Sequence, residues 1–458
     1  MELKDRLKEL GIDCTAAEIE DFTVWGLKKM WDEYNNKCMD LRILMENKVN
    51  ELSIVIPNGT VGKEYNTTFT IPKDLVEDFW LENLERTGLQ SNIDENNQCT
   101  ISGTPSEAGS FDINLCYKYK GWIDGKLISQ RKFTIAINPY PRTLWKDIPT
   151  PTDIEYYKGD YDSKYVKVET KDGCPQKDIV AASQRGRSHA HEGKPRDDHF
   201  CVEYLKDSGW YIMAVADGAG SAQYSRKGSW IACDNVVEHC KAFFNDSTKK
   251  HDFEEYIETY NGESSDGEYR KLLGDSIYDL IGRAAFDAYK AIEKEANEKN
   301  VPMKNYATTL MLAVCKKFGF GWFIASFWVG DGAMCIYDKE RKYFKLLGTP
   351  DEGEYSGQTR FLTMPDIFKD SVSFYGRLKF SIEQDFTALM LMTDGVSDPK
   401  FETDANLNKI EKWDALWEDI TEKVELTDDN TESQYQLLKW LNFWSQGNHD
   451  DRTIAILY

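Results

Sequence analysis

Residues Trp210–Gly220 read WYIMAVADGAG. An uncharged apolar run extends from Trp210 to Ala216, and Asp217 is followed at once by Gly218, Ala219 and Gly220. Such a run, ending in an acid and glycine, predicts a buried strand that hands one carboxylate to a tight turn. Glycine there lets the backbone approach a ligand closely or take positive φ. One copy of this pattern is more simply read as a plain strand end with a solvated acid. The pattern recurs, however. Thr387–Gly395 reads TALMLMTDG and Trp322–Gly332 reads WFIASFWVGDG, so Asp394 and Asp331 also close apolar runs. In Asn448–Tyr458, NHDDRTIAILY, the acids Asp450 and Asp451 precede the apolar run, and in Arg196–Phe200, RDDHF, Asp197 and Asp198 do the same before Cys201. Strands tipped with acids in this way can converge on one site. Clustered carboxylates repel unless cations sit among them. With no His/Cys ligand spacing nearby, the ions expected are Mg²⁺ or Mn²⁺ rather than zinc.

The chain has 458 residues, enough for two or three domains. Its net charge of −22 disfavours a nucleic-acid or anionic-membrane surface. Ten cysteines form no CxxC spacing and several lie in apolar runs, as expected of free thiols in a reducing compartment. The opening MELKDRLKELGID has no apolar signal core, and no long apolar run occurs. A soluble, cytoplasmic protein is expected.

Residues 1–50 have helical spacing. Thr15-Ala-Ala-Glu18 predicts a capping box, followed by Ile19, Phe22, Leu27, Met30, Trp31, Tyr34, Cys38 and Leu41. Packing of this stripe onto the next domain is a simpler expectation than a partner. Residues 51–139 carry short β-rich runs, LSIVI (52–56), YNTTFTI (65–71), CTISG (99–103), SFDINLCYKY (110–119) and KFTIAI (132–137), and predict a β-sandwich. Within them ISGTPSEAGSFDINLCYKY resembles the closing half of bacterial immunoglobulin-like modules. Residues 140–178 hold NPYPRTLW and DIPTPTD and are expected to be a linker. Residues 179–458 mix strands with helices expected near 223–245, 275–299 and 431–445, the last opened by Thr431 with Gln434 in a capping box. A hairpin is expected over 307–317 and 321–330. The fold class expected is α+β: two antiparallel sheets packed together and flanked by helices, preceded by a small all-β domain and a helical segment.

In order, RDDHF, AVADGAG, ATTLMLAV, VGDGAM, LMLMTDGVSD and HDDRTIAIL resemble the motifs of metal-dependent protein serine/threonine phosphatases of the type-2C family. The resemblance spans about 180–458. It implies that Asp217 bridges two Mn²⁺ or Mg²⁺ ions with help from the Gly218 carbonyl. It implies that Asp394 and Asp450 hold one ion, Asp198 the other, and Asp331 a looser third. Asp197 would stand behind these ligands, and Asp451, where the family usually has Asn, would orient neighbours. A water shared by the metals would attack phosphorus in line. The sequence departs from the eukaryotic members in having Ala219 where they carry a His that can serve as leaving-group acid. GRSHAHEG and DGAGSA resemble a divergent bacterial branch, which implies His189 and Arg187 near the phosphate. GTPDEGEYSGQTRFLT, beyond Leu347, suits a substrate-selecting flap. The function implied is hydrolysis of phosphoserine and phosphothreonine in a phosphoprotein with a cognate serine/threonine kinase, the N-terminal module docking the partner. The other readings are a pseudophosphatase acting as a binding module and a small-molecule phosphohydrolase.

Overall fold

The computed structural model describes residues 3–120, 128–170, 176–260, 267–351 and 359–458. Trp122, Cys174 and part of the expected flap (352–358) lie outside them. The chain divides into two compact units, Met1–Leu144 and Trp145–Tyr458.

The first unit opens with helices Leu3–Glu9 and Ala16–Asn50, the second of them capped by the Thr15–Glu18 box expected. Only its C-terminal end is anchored. Val49 is buried, and Arg131 Nη1 donates to the carbonyls of Val49 (2.9 Å) and Leu52 (2.8 Å). A four-stranded sheet (Gly59–Thr60, Ser129–Asn138, Gly109–Tyr119, Val76–Glu82) and a three-stranded sheet (Tyr65–Thr70, Gln98–Gly103, Leu89–Ile93) share one apolar core. LSIVI is not a strand: it is the irregular segment that turns the chain from helix to sheet, with Ile54 buried. A short apolar run reads alike in either role. The strands Val76–Glu82 and Leu89–Ile93 escape the sequence reading because polar residues dilute their alternation.

The second unit is a sandwich of two antiparallel sheets. One has five strands in the order His199–Leu205, Trp210–Ala216, Leu310–Phe318, Gly321–Val329, Leu378–Glu383. The other has six: Tyr343–Leu346, Ala333–Asp338, Ala388–Met392, Arg452–Leu457, Ile179–Gln184, Tyr161–Val166. Their facing sides form one core that includes Met213, Val215, Met311, Trp322, Leu391 and Ala455. The outer face of the first sheet is covered by helices Ser225–Asn245, Ser247–Tyr260, Gly267–Ile277 and Arg283–Glu298. Helices Asp394–Phe401, Ile410–Thr421 and Ser433–Leu441 cover the outer face of the other. Four layers result, α–β–β–α, with strands buried on both faces. This explains why Trp210–Ala216 and Gly321–Val329 read as unbroken apolar runs.

Three details differ from the sequence reading. Tyr161–Val166, inside the expected linker, is the edge strand of the six-stranded sheet, and its polar residues and incomplete burial hide it. The helix expected over 275–299 starts earlier, at Gly267, and passes through a π-helical turn at Tyr278–Gly282. The last helix begins at Ser433 with no side-chain cap, because Asn430 shapes the preceding turn, its Oδ1 accepting from Glu432 N (3.1 Å) and its Nδ2 donating to Glu425 O (2.7 Å). Trp440 is core, as expected, whereas Trp444 lies past the helix end, half-buried beside His449. The hairpin expected near 317–321 is present, Phe318 pairing with Gly321.

At the end that carries the acids, the loops of neighbouring strands touch through backbone. A Cβ on Gly395 would stand 1.8 Å from the carbonyl oxygen of Asp451, a contact that only backbone movement relieves. Gly395→Ala should therefore cost about 1–3 kcal/mol or more in urea unfolding, the scale of overpacking. Gly274→Ala, on a helix with nothing within 4 Å, should be neutral or add about 0.5–1 kcal/mol. Equal effects at the two positions would contradict the contact.

Candidate metal centre

Asp217 leaves strand Trp210–Ala216 and is held through its backbone. Its N–H donates to Thr309 Oγ1 (2.9 Å), and its carbonyl accepts from Thr309 N (2.8 Å) and Thr308 Oγ1 (2.9 Å). Thr308 and Thr309 therefore position the turn, and the Asp217 carboxylate stays available. Gly218 lies against the next acid segment, where a Cβ would be 2.7 Å from Asp197 O. Asp331 follows strand Gly321–Val329 and accepts a hydrogen bond from Thr359 Oγ1. Asp394 follows strand Ala388–Met392 and opens helix Asp394–Phe401. One carboxylate oxygen each of Asp217, Asp331 and Asp394 lies within 4.8 Å of the others.

Asp198 is buried between the sheets. Its Oδ2 accepts from Thr393 Oγ1 (2.9 Å) and Thr453 Oγ1 (2.7 Å). Asp450 Oδ1 accepts from Asp451 N (2.8 Å). Asp451 turns inward, taking Gly186 N (2.6 Å), Asp197 N (2.6 Å) and His189 Nδ1 (3.1 Å). His189, Asp450 and Asp451 form a second close group.

The electrostatics are those of crowded, desolvated acids. Burial first, then Asp394, Asp198 and Asp450, hold Asp217 well above the usual carboxylate range. Burial, Asp331 and Asp450 do the same to Asp394. Burial and Asp451 push Asp198 to about 7 and Asp197 to about 6. Burial works to lower His189, but its contact with Asp451 and the neighbouring Asp197 carry it up to about 9. Asp451, which burial would raise, is held below its ordinary value by His189 and the two backbone donors.

Would a cation fit? Buried oxygens of four acids, Asp197 Oδ1, Asp198 Oδ1, Asp331 Oδ1 and Asp394 Oδ1, have no hydrogen-bond donor. An oxygen-only set of this kind, left without donors, suits a hard divalent cation of the Mg²⁺ or Mn²⁺ type.

Of the residues singled out in the sequence, the acids are brought together. Asp331 lies within the same 4.8 Å group as Asp217 and Asp394. His189 is nearly enclosed, 6% exposed, and braces the acid loops from beneath the Asp217–Gly220 turn. Arg187 is turned to Asn442 Oδ1 (2.7 Å) and lies over the Trp444 ring (5.4 Å). Two residues were missed. Asp398, one helical turn after Asp394, is pushed to about 6 by burial and then by Asp331, Asp404 and Asp450. Its signal was the i, i+4 spacing in TDGVSD. Lys158 donates to Asp198 O (2.9 Å) and Ser229 Oγ (3.3 Å), and burial followed by Arg196 lowers it to about 7. Nothing in the local sequence of a supposed linker marks it.

Buried carboxylates at the rim of an α–β–β–α sandwich are the equipment of a metal-dependent phosphatase. The chain belongs to the protein phosphatase 2C family, whose model matches residues 185–442. No curated protein matches it. Solved structures with a similar fold include a C. elegans sex-determining protein (13% identity over 62% of this chain and 65% of that one, TM-score 0.37). Two others are PppA, a regulatory component of the type VI secretion system (T6SS) of Pseudomonas aeruginosa (12%, 64% and 99%, 0.34), and the Mycobacterium tuberculosis serine/threonine phosphatase PstP (12%, 62% and 98%, 0.33). The family assignment rests on the family model alone. Among the described residues no helix is long and apolar enough to cross a membrane.

The raised acids fix a pH dependence. Asp197, Asp198 and Asp398 keep protons to about 6, 7 and 6 in the fold but only to about 4 when unfolded. The folded state thus binds more protons, and its stability falls as pH rises from about 4 to about 7. His189, raised from 6.5 to about 9, extends the fall in the same direction. In EDTA the melting temperature should drop across this range. Saturating Mn²⁺ should raise it most at the upper end. A profile in EDTA that is flat or rises with pH would contradict the crowding.

Proposed function

We propose that this chain hydrolyses phosphoserine and phosphothreonine in phosphoproteins, using two Mn²⁺ or Mg²⁺ ions. Asp217 and the Gly218 carbonyl, Asp198, Asp394 and Asp450 would hold them, with Asp331 serving a further site. The convergence of Asp217, Asp331 and Asp394 within 4.8 Å carries this reading. When bound, the ions neutralise phosphoryl oxygens and acidify a water.

The protein's own residues do the positioning. Thr308 and Thr309 fix the Asp217 backbone, so its carboxylate needs no reorganisation. Thr393 and Thr453 occupy one oxygen of Asp198 and leave the other for a cation. His189, bound to Asp451 and 3.8 Å from Asp197, ties together the loops that carry the acids. We assign it this positioning role in place of phosphate contact, since it is buried. Ala219, next to Gly218, has no proton to give, so the leaving alkoxide takes one from water or from another residue. The N-terminal unit serves partner docking, and a cognate serine/threonine kinase supplies the substrate. Unpaired cysteines throughout the described residues fit a reducing, cytoplasmic setting.

The test is release of phosphate from phosphoserine and phosphothreonine peptides, with p-nitrophenyl phosphate alongside, with and without Mn²⁺. Asp217→Asn should lower Mn²⁺-dependent turnover by roughly 10²-fold or more while circular dichroism is unchanged. Turnover of p-nitrophenyl phosphate alone would point to small substrates. Mn²⁺ binding without turnover would make the chain a binding module.

A further inference from the structure

Helix Ala16–Asn50 is 35 residues long, and within it Val49 alone is buried. The packing onto the next domain expected of its stripe is confined to Met45 and Val49, at the end that meets the sandwich core. Ahead of that anchor, Val24, Leu27, Trp31, Tyr34, Cys38 and Leu41 follow one another at spacings of three and four. This is a heptad seam, with Val24, Trp31 and Cys38 at one core position and Leu27, Tyr34 and Leu41 at the other. It runs for about 26 Å at ~1.5 Å per residue. It is open: Leu27 is 61%, Trp31 64% and Tyr34 62% exposed. Large apolar side chains in a continuous exposed stripe mark an interaction surface.

Charge chooses the occupant. Along the seam the flanking positions are Lys28, Met30, Asn35, Lys37 and, at its end, Arg42, with no acid among them. Asp32, Glu33 and Asp40 lie on the other side of the helix. Lys37 reaches Glu33 (3.6 Å) along the helix in an exposed pair that is weak and exchangeable, whereas Arg42, at the end of the seam, is half-buried against Glu46 (3.1 Å). A second copy packed seam to seam would set basic flank against basic flank. An anionic membrane is disfavoured as well, because the helix carries seven acidic and five basic side chains on a chain of net charge −22. We propose that this seam docks an amphipathic helix of another protein, with apolar residues at heptad spacing and Glu or Asp along both flanks. The pairing would form a two-stranded coiled coil. The proposal rests on the docking role given above to the N-terminal unit and specifies the chemistry of its partner.

Two synthetic four-heptad peptides test it on the full chain, each with Leu at both core positions, one with Glu and the other with Lys at every flanking position. In fluorescence anisotropy the Glu peptide should bind at least ~10-fold tighter than the Lys peptide, the gap narrowing with salt. Trp31→Glu with Tyr34→Glu should abolish binding, while Trp25→Glu, on the opposite face, should not. Helix content and Mn²⁺-dependent phosphatase turnover, measured on the same preparations, should be unchanged in all variants. Equal or absent binding of both peptides overturns the proposal. So does a dimer in sedimentation equilibrium that the seam substitutions dissolve, which would name a second copy as the occupant. Seam-dependent binding to phosphatidylglycerol vesicles overturns it too. If turnover persists in any of these cases, the phosphatase reading survives the loss of this one.

Discussion

Backbone meeting backbone at the acidic end of the sandwich is the constraint on which the site depends. Gly218 sits on the carbonyl of Asp197, and Gly395 on that of Asp451. Any side chain at these positions would push the neighbouring acid-bearing loops apart. Only at that separation do carboxylates from different strands come within 4.8 Å of one another. The glycine after each acid is therefore a spacing element, and the acid is its consequence. The repulsion so produced is large in a desolvated place, and it appears as the raised values of Asp217, Asp394 and Asp198. Packing elsewhere holds this strain until cations relieve it.

The packing that does so lies directly behind the acids. The strands that end in Asp217 and Asp394 are buried along their whole length. Their side chains fill the layer between the sheets and both outer layers. Trp210, at the far end of the same strand, stacks on Phe244 (4.5 Å) and Phe253 (5.4 Å), fixing that strand to its helices. A strand pinned at one end by aromatic packing and at the other by Thr308 and Thr309 has little freedom to withdraw its carboxylate. The rigid elements thus lie where charge is concentrated.

What the sequence disclosed follows from the same arrangement. Strands buried on both faces give unbroken apolar runs, so Trp210–Ala216, Gly321–Val329 and Ala388–Met392 were legible, and so were the acids at their ends. Edge elements were not: Tyr161–Val166 and Val76–Glu82 face solvent in part and carry polar residues that blur a period of two. Lys158 was invisible for a different reason. Its role depends on a chain reversal that brings it to Asp198, forty residues on, and no local pattern encodes that approach. Asp398 stood in plain view, one turn after Asp394, and only its neighbours in space give it meaning. The long first helix was legible as a helix, but the sequence could not say that its stripe would remain open.

Asp451 and His189 show how one departure accounts for another. The family pattern usually has Asn where this chain has Asp451. A further carboxylate beside Asp450, Asp197 and Asp198 would worsen an already crowded site. His189 answers it: its ring lies 3.1 Å from both oxygens of Asp451 and is charged up to about 9. The pair is internally neutral, and Asp451 still accepts from the backbone of Gly186 and Asp197, two segments that shape the site. An amide oxygen could accept those bonds but could not hold an imidazolium. The acid at 451 and the histidine at 189 are thus matched in charge and geometry, which supports the positioning role proposed for His189.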